Sequence, residues 1–202
     1  VTSFHKKHED VYARMMLDAV VDKWKPDDFK LLVYLEDYNV EEAQQLPQAE
    51  FITYRFLEDI QARTDFIERN KDKNGNFAEA PYNYRMDALR FCHKVYALSD
   101  AMFTLLDEEY TDWLVWLDAD TITKKMFKAE DAAKIMLPEV DIVHLGRIDI
   151  DYSETGFIAF NMGYHNACSL LVDLRGAYDT DEVFGYREWT DAFIFTRLLK
   201  IY

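Results

Sequence analysis

At 202 residues the chain is long enough to bury a core as one domain, and half of it is hydrophobic, with 14 Phe, 13 Tyr and 4 Trp, which excludes disorder. Its 23 Lys and Arg stand against 38 Asp and Glu, a formal charge of −15 that would be repelled by a nucleic-acid backbone or an anionic membrane surface. Cys92 and Cys168 are the only cysteines and show no CxxC spacing, so neither a disulfide framework nor a zinc site is expected.

Residues 1–4 read as the end of a first strand. Residues 8–24 carry Val11, Met15, Leu17, Ala19, Val20 and Trp24 at roughly helical spacing, and Pro26-Asp27-Asp28 ends that helix. Residues 30–35 form a second strand running into Glu36 and Asp37, a short helix over 41–46 stops before Pro47, and 51–54 form a third strand. Residues 55–70 have helical spacing but are heavily charged, and they lead into Asn70-Lys71-Asp72-Lys73-Asn74-Gly75-Asn76, the clearest loop in the chain. The strongest helical pattern covers 84–103. It is followed by a strand over 113–117, a helix over 130–136, strands over 141–145 and 156–161, and helices over 165–175 and 189–199.

Strands alternating with helices imply an α/β fold: a mostly parallel sheet flanked by helices on both faces, in a single domain over 1–202. The chain opens without Met on a strand pattern and closes inside a helical one, so termini are expected to be missing. No run approaches transmembrane length and the first residues lack a signal-peptide pattern, so a cytoplasmic location is expected. Neither GxGxxG nor a P-loop motif occurs, so any bound phosphate must be held by a metal and basic side chains.

The most informative segment is Trp113-Leu114-Val115-Trp116-Leu117-Asp118-Ala119-Asp120-Thr121. A buried strand here delivers Asp118 and Asp120 to its C-terminal end, where ligands bind in open α/β sheets. Two acids so placed repel each other unless a cation lies between them, and oxygen ligands suit a divalent one. Asp149-Ile150-Asp151 and Asp179-Thr180-Asp181 repeat the spacing but follow loops, which makes them solvated turn acids. Arg90 and Lys94 lie four apart on one helix face and could clamp phosphate, or form an exposed basic face paired with Asp87. Two further segments are Glu154-Thr155-Gly156-Phe157, where the glycine lets backbone approach a ligand, and Glu188-Trp189-Thr190-Asp191, whose acids could complement a helix dipole.

In this order the motifs resemble the GT-A (DxD) class of glycosyltransferases, and in particular small glycosyltransferase-like proteins of bacteria and their phages. The residues carrying the resemblance are Thr2-Ser3-Phe4, Trp24-Lys25-Pro26, Tyr34-Leu35-Glu36, Arg90-Phe91-Cys92-His93-Lys94, the Asp118 segment, Glu154-Thr155-Gly156-Phe157 and Glu188-Trp189-Thr190-Asp191. The resemblance implies a nucleotide-sugar-dependent, hexosyltransferase-like enzyme that uses Mn2+ or Mg2+, a UDP-sugar as first-choice donor, and an acceptor of unknown nature. It places the metal on Asp118 and Asp120, with Asp118 also near the ribose. Thr2, Ser3 and Glu36 would hold the nucleotide, Arg90 and Lys94 the diphosphate or donor sugar, and Glu154 and Asp191 would serve as acids beside the reacting sugar. By analogy with retaining galactosyl- and glucosyltransferases, retention of configuration is expected.

The chain departs from that pattern where the family has His directly before the last Asp, because Thr190 stands there. Many GT-A enzymes use a late His as a third metal ligand, and His144 and His165 are the substitutes considered. Two rival readings share these residues. One is a non-catalytic nucleotide-sugar-binding domain, the other a phosphatase of the haloacid dehalogenase type with Asp118 as nucleophile.

Overall fold

The computed structural model of the protein describes residues 1–78, 80–146 and 152–202, and the Asp149-Ile150-Asp151 copy of the acidic spacing lies outside them. The first half contributes β1 (Thr2–His5), α1 (Arg14–Lys23), β2 (Leu31–Glu36), α2 (Val40–Ala43), β3 (Ile52–Phe56), α3 (Gln61–Arg69) and α4 (Ala88–Asp107). The second half adds β4 (Trp113–Leu117), α5 (Ala129–Ala132), β5 (Ile142–Leu145), β6 (Glu154–Asn161), α6 (His165–Asp179) and α7 (Asp191–Leu198). No helix among the described residues is long and apolar enough to cross a membrane.

β1, β2 and β3 form a parallel sheet in that order, with Thr2 beside Val33 and Leu31 beside Ile52. β6 lies between β4 and β5 and runs antiparallel to both, which corrects the expectation of a mostly parallel sheet for this half. The reason is chain length. Residues 146–153 separate β5 from β6, fewer than the ~12 that a parallel crossover needs, so the chain can only turn back.

The two sheets are tied at Val1. Its amino group donates to Val115 O at 2.5 Å, and Leu117 N donates to Val1 O at 2.9 Å, the bonding pattern of a parallel pair. The strands therefore stand in the order β3-β2-β1-β4-β6-β5, with the residue before β1 set against the C-terminal end of β4 and without further ladder bonds among the described residues. From β1 the order runs one way and from β4 the other. Such a reversal is where α/β sheets leave a crevice outside the carboxyl ends of the strands.

Alternation along β2 serves two apolar clusters. Leu31, Val33 and Leu35 pack with Met16, Leu17 and Val20 of α1, while Tyr34 packs with Val95, Ala97 and Leu98 of α4. α4 begins at Asp87, whose Oδ1 accepts from Arg90 N at 3.0 Å as an N-cap. The helix then runs against β1, β4 and α6 with Cys92, Tyr96, Ala101 and Met102 fully enclosed, a rigid seat for any side chain it points at the crevice.

The first helix is shorter than its periodicity suggests. Residues 6–13 form tighter and wider turns (Lys6–His8, Glu9–Ala13) because His5 Nδ1 accepts from Lys7 N at 3.0 Å and starts a local turn. The helix expected over 130–136 is limited to α5, and the loop before it is pinned to the end of α1. Phe127 N donates to Lys23 O at 2.9 Å, Trp24 Nε1 donates to Thr123 Oγ1 at 2.9 Å, and the Phe127 ring stacks on Phe29.

Candidate active site

A cleft of about 980 Å³ occupies the crevice between the ends of β1 and β4. Ser3, Glu36, Arg90, Lys94, Asp118, Asp120, Glu154 and Asp191 all line it, so eight of the nine residues singled out in the sequence converge there. Thr2 does not. Its side chain is fully buried on the opposite side of β1, with Oγ1 unpartnered, because neighbouring strand residues point to opposite faces.

Lys94 is the hub. From the second turn of α4 its ammonium lies 2.9 Å from Asp118 Oδ1, 3.0 Å from Asp191 Oδ2, 2.9 Å from Thr155 O and 3.2 Å from Thr155 Oγ1. The Trp116 ring lies beside it, with its centroid 5.3 Å from Nζ. Burial alone would lower the Lys94 pKa, but Asp191 and Asp118 outweigh it and the net shift is upward. An ammonium has three protons, so these acceptors use all of them. The phosphate clamp expected from Arg90 with Lys94 therefore reduces to Arg90, whose exposed guanidinium lies over the Phe91 ring inside the cleft.

Asp118 is fixed from several directions. Oδ1 also accepts from Trp116 Nε1 at 2.6 Å, a bond allowed because residues two apart on a strand share a face. Its N–H donates to Gly156 O at 2.9 Å, joining the end of β4 to β6. A Cβ on Gly156 would stand 3.3 Å from Asp118 Oδ2 and 3.5 Å from Glu154 Oε1, so the glycine lets backbone pass between the two carboxylates. Glu154 Oε1 accepts from Gly156 N at 3.2 Å. Asp120 is exposed at the cleft, close enough to Tyr12 to help burial raise that phenol's pKa.

Asp191 opens α7 and is buried, with Oδ2 also accepting from Thr155 Oγ1 at 2.8 Å. Thr190 caps the same helix, its Oγ1 accepting from Phe193 N at 3.2 Å. Threonine is a strong capping residue, which gives position 190 a structural task. The considered substitutes for a late His do not reach the cleft: His144 packs edge-on against Phe195, and His165 pairs with Ser169 on α6. Asp179 and Asp181, expected as solvated acids, are engaged. Asp179 accepts from Tyr96 and Arg175, and Asp181 from Arg69 and Asn70.

The sequence did not single out His5, His8 or Arg63, and it named His93, Trp116 and Thr155 only as members of motifs, without a task of their own. Glu36 Oε1 accepts from Arg63 Nη2 at 2.8 Å and lies 3.3 Å from His93 Nε2, while Arg63 Nε donates to His93 Nδ1 at 3.0 Å. His93 thus accepts at Nδ1 and carries its proton on Nε2, toward Glu36. Burial, with Arg63 next, depresses the His93 pKa to about 3. Burial raises Glu36 above the usual carboxylate range, against the pull of Arg63 and His5. The visible signal was adjacency: His5 follows Thr2-Ser3-Phe4, and His93 lies between Arg90 and Lys94.

No group of three or more His, Cys, Asp or Glu arranged to hold a metal occurs among the described residues. The donor chemistry still fits a hard cation. Asp118, Asp120, Glu154 and Asp191 carry four carboxylates in one cleft, and Lys94 is the buried cation among them. Mg2+ and similar ions are commonly held by one or two carboxylates plus substrate phosphate and water, and this set suits that arrangement better than a cage of protein ligands alone.

No protein-family model matches the chain, and no curated protein matches its sequence. Among solved structures it is similar to mouse xyloside xylosyltransferase 1, with a TM-score of 0.54 at 13% identity, over 99% of this chain and 80% of that one. At that identity the likeness concerns architecture: the chain has a glycosyltransferase-like fold.

Proposed function

We propose that the protein is a glycosyltransferase that moves a sugar from a nucleoside-diphosphate donor, a UDP-sugar first, to an acceptor hydroxyl, with a divalent cation as cofactor. The observation that carries this reading is the excess of carboxylate over cation in the crevice where β1 and β4 part. A diphosphate would be repelled from such a surface unless a divalent ion entered with it. Asp120 and Asp118, through Oδ2, would hold the ion, which when bound stabilises the negative charge on the departing nucleoside diphosphate.

The chain's own residues then divide the remaining tasks. Ser3 within β1 and Glu36 at the end of β2 face the nucleotide, and Arg90 offers its planar fork to a phosphate. Lys94 holds Asp118 and Asp191 in place. Because Asp191 is committed to Lys94 and Thr155, it is better suited to positioning than to taking a proton, which leaves Glu154 as the acid nearest the acceptor or the sugar hydroxyls. The phosphatase reading needs Asp118 as an unencumbered nucleophile, and the bonds from Lys94 and Trp116 oppose it.

A binding domain without turnover is the second reading, favoured by the same Lys94–Asp191 pair, which restrains the best-buried acid of the cleft. The test is titration of UDP-sugars with and without Mn2+, beside an assay of sugar release and transfer. Metal-dependent binding with turnover supports the transferase, and binding without turnover across a range of acceptors supports the second reading. Metal-dependent binding unchanged in both Asp118→Ala and Asp120→Ala would remove the site assignment altogether.

A further inference from the structure

A second cavity of about 610 Å³ opens beside α7 and shares one wall residue, Tyr152, with the first cleft. Its charge is inverted relative to the chain. Arg187, Arg197 and Lys200 line it, and among the described residues no carboxylate does, in a protein with 38 acidic and 23 basic residues. Arg187 Nη2 lies 3.3 Å from Glu188 Oε1, whereas Arg197 and Lys200 form no ion pair among the described residues. One cation sits against an aromatic cluster: the Arg187 guanidinium is 5.2 Å from the Phe193 centroid, and Tyr152 and Tyr186 each meet that ring edge-on at 6.4 Å.

The helix explains the arrangement. Phe193 and Arg197 lie four apart on one face of α7 and Lys200 follows in the turn after it, while Asp191 of the same helix points into the first cleft, so α7 is the partition between the two cavities. A basic residue in the last turn of a helix can be accounted for by the dipole. That account does not cover Arg187, which precedes the helix, or the three rings.

Half-buried rings beside exposed cations suit a ligand with a flat apolar face and a negative charge. A sugar ring bearing a carboxylate or phosphate has both. The chain's overall negative charge does not prevent this, because exposed charges are screened beyond ~8 Å at physiological ionic strength and the local cations dominate.

We propose that this cavity is the acceptor subsite, and that it takes a saccharide carrying an anionic group, whose free end passes Tyr152 into the first cleft. The inference rests on the transferase reading for the word acceptor, but binding at the cavity can be measured apart from it. Mannose 6-phosphate and a trimer of galacturonic acid would be titrated calorimetrically against mannose, maltotriose and inorganic phosphate. The proteins would be wild type, Arg197→Ala/Lys200→Ala and Phe193→Ala, with UDP plus Mn2+ titrated into each.

At least one anionic sugar should bind wild type and weaken with added salt, and the two arms show whether phosphate or carboxylate is preferred. Its affinity should fall about tenfold or more in the double variant while UDP–Mn2+ binding is retained. Neutral sugars binding equally well, an unaffected double variant, or no binding of either anionic sugar overturns the proposal. Inorganic phosphate binding as tightly as mannose 6-phosphate, with Phe193→Ala unchanged, overturns its saccharide half. Loss of UDP–Mn2+ binding in every protein, with anionic sugars still bound, counts against the transferase reading and leaves the cavity assignment standing.

Discussion

Lys94 Nζ stands 2.9 Å from Asp118 Oδ1, and the same ammonium holds Asp191 at 3.0 Å, so one side chain of α4 bolts the end of β4 to the start of α7. Removing one partner of a buried ion pair leaves an uncompensated charge and costs about 3 kcal/mol or more. Lys94→Met should therefore lower the urea midpoint sharply. Adding Asp191→Asn to it should recover part of the loss. A Lys94→Met protein as stable as wild type would show that the hub carries no weight.

Asp120 and Asp118 should respond differently to neutralisation. Asp120 is exposed, so Asp120→Asn should leave thermal stability within about 0.5 kcal/mol. It should nevertheless weaken UDP binding in the presence of Mn2+ by about tenfold or more. Asp118→Asn should lose the same binding and stability as well, because its oxygen answers both Lys94 and Trp116. Paired thermal melts and metal titrations separate the two.

Gly156→Ala tests the close approach of β6 to the carboxylates. The added methyl meets Asp118 Oδ2 at 3.3 Å and Glu154 Oε1 at 3.5 Å. We expect a folded protein about 1 kcal/mol less stable, with turnover reduced about tenfold, since small displacements of reacting groups are costly. Unchanged turnover in a well-folded variant would contradict the placement of these acids beside the substrate.

Position 190 offers a direct comparison of a cap with a ligand. Thr190→Ala should cost about 1 kcal/mol through loss of the N-cap bond to Phe193, and Thr190→Ser should cost little. Thr190→His should be destabilised like the alanine variant. A gain in Mn2+ affinity in Thr190→His would show instead that the site was short of one ligand.

The buried imidazole sets a pH dependence. His93 titrates near 3 in the folded protein, against an ordinary value of 6.5. The unfolded chain therefore binds the extra proton first as pH falls. The contribution of neutral His93 is present in full above ~6.5 and is lost between ~6.5 and ~3. His93→Gln keeps an acceptor for Arg63 but does not titrate, so its melting temperature should fall less steeply across that window. Parallel melts at pH 7, 6, 5 and 4 check the slope.

Much of this was visible in the residues alone. Asp118, Asp120, Glu154 and Asp191 could be found because each ends or begins a strongly patterned strand or helix, and local pattern survives in sequence. The direction of β6 was not apparent, because period-two alternation is the same for either direction; the short 146–153 connection was the missing clue. Thr2 and Ser3 looked equivalent until the strand face was known. Lys94 was visible as a cation, but its partners lie 24, 61 and 97 residues away, and only the fold reveals that they exhaust its protons.

The parting of β1 from β4 sets what a ligand must bridge. The two three-stranded sheets exchange backbone bonds at Val1, with Val115 and Leu117, and share the helix α4 behind them. A ligand touching Ser3 or Glu36 on one side and Asp120 or Glu154 on the other thus spans the seam between the two sheets. Such a ligand acts as a brace, and its absence leaves the seam as the first place where the molecule can breathe. Hydrogen exchange at the backbone amides of Ser3 and Asp118 should slow together when donor and cation bind, while the interior of α4 changes little.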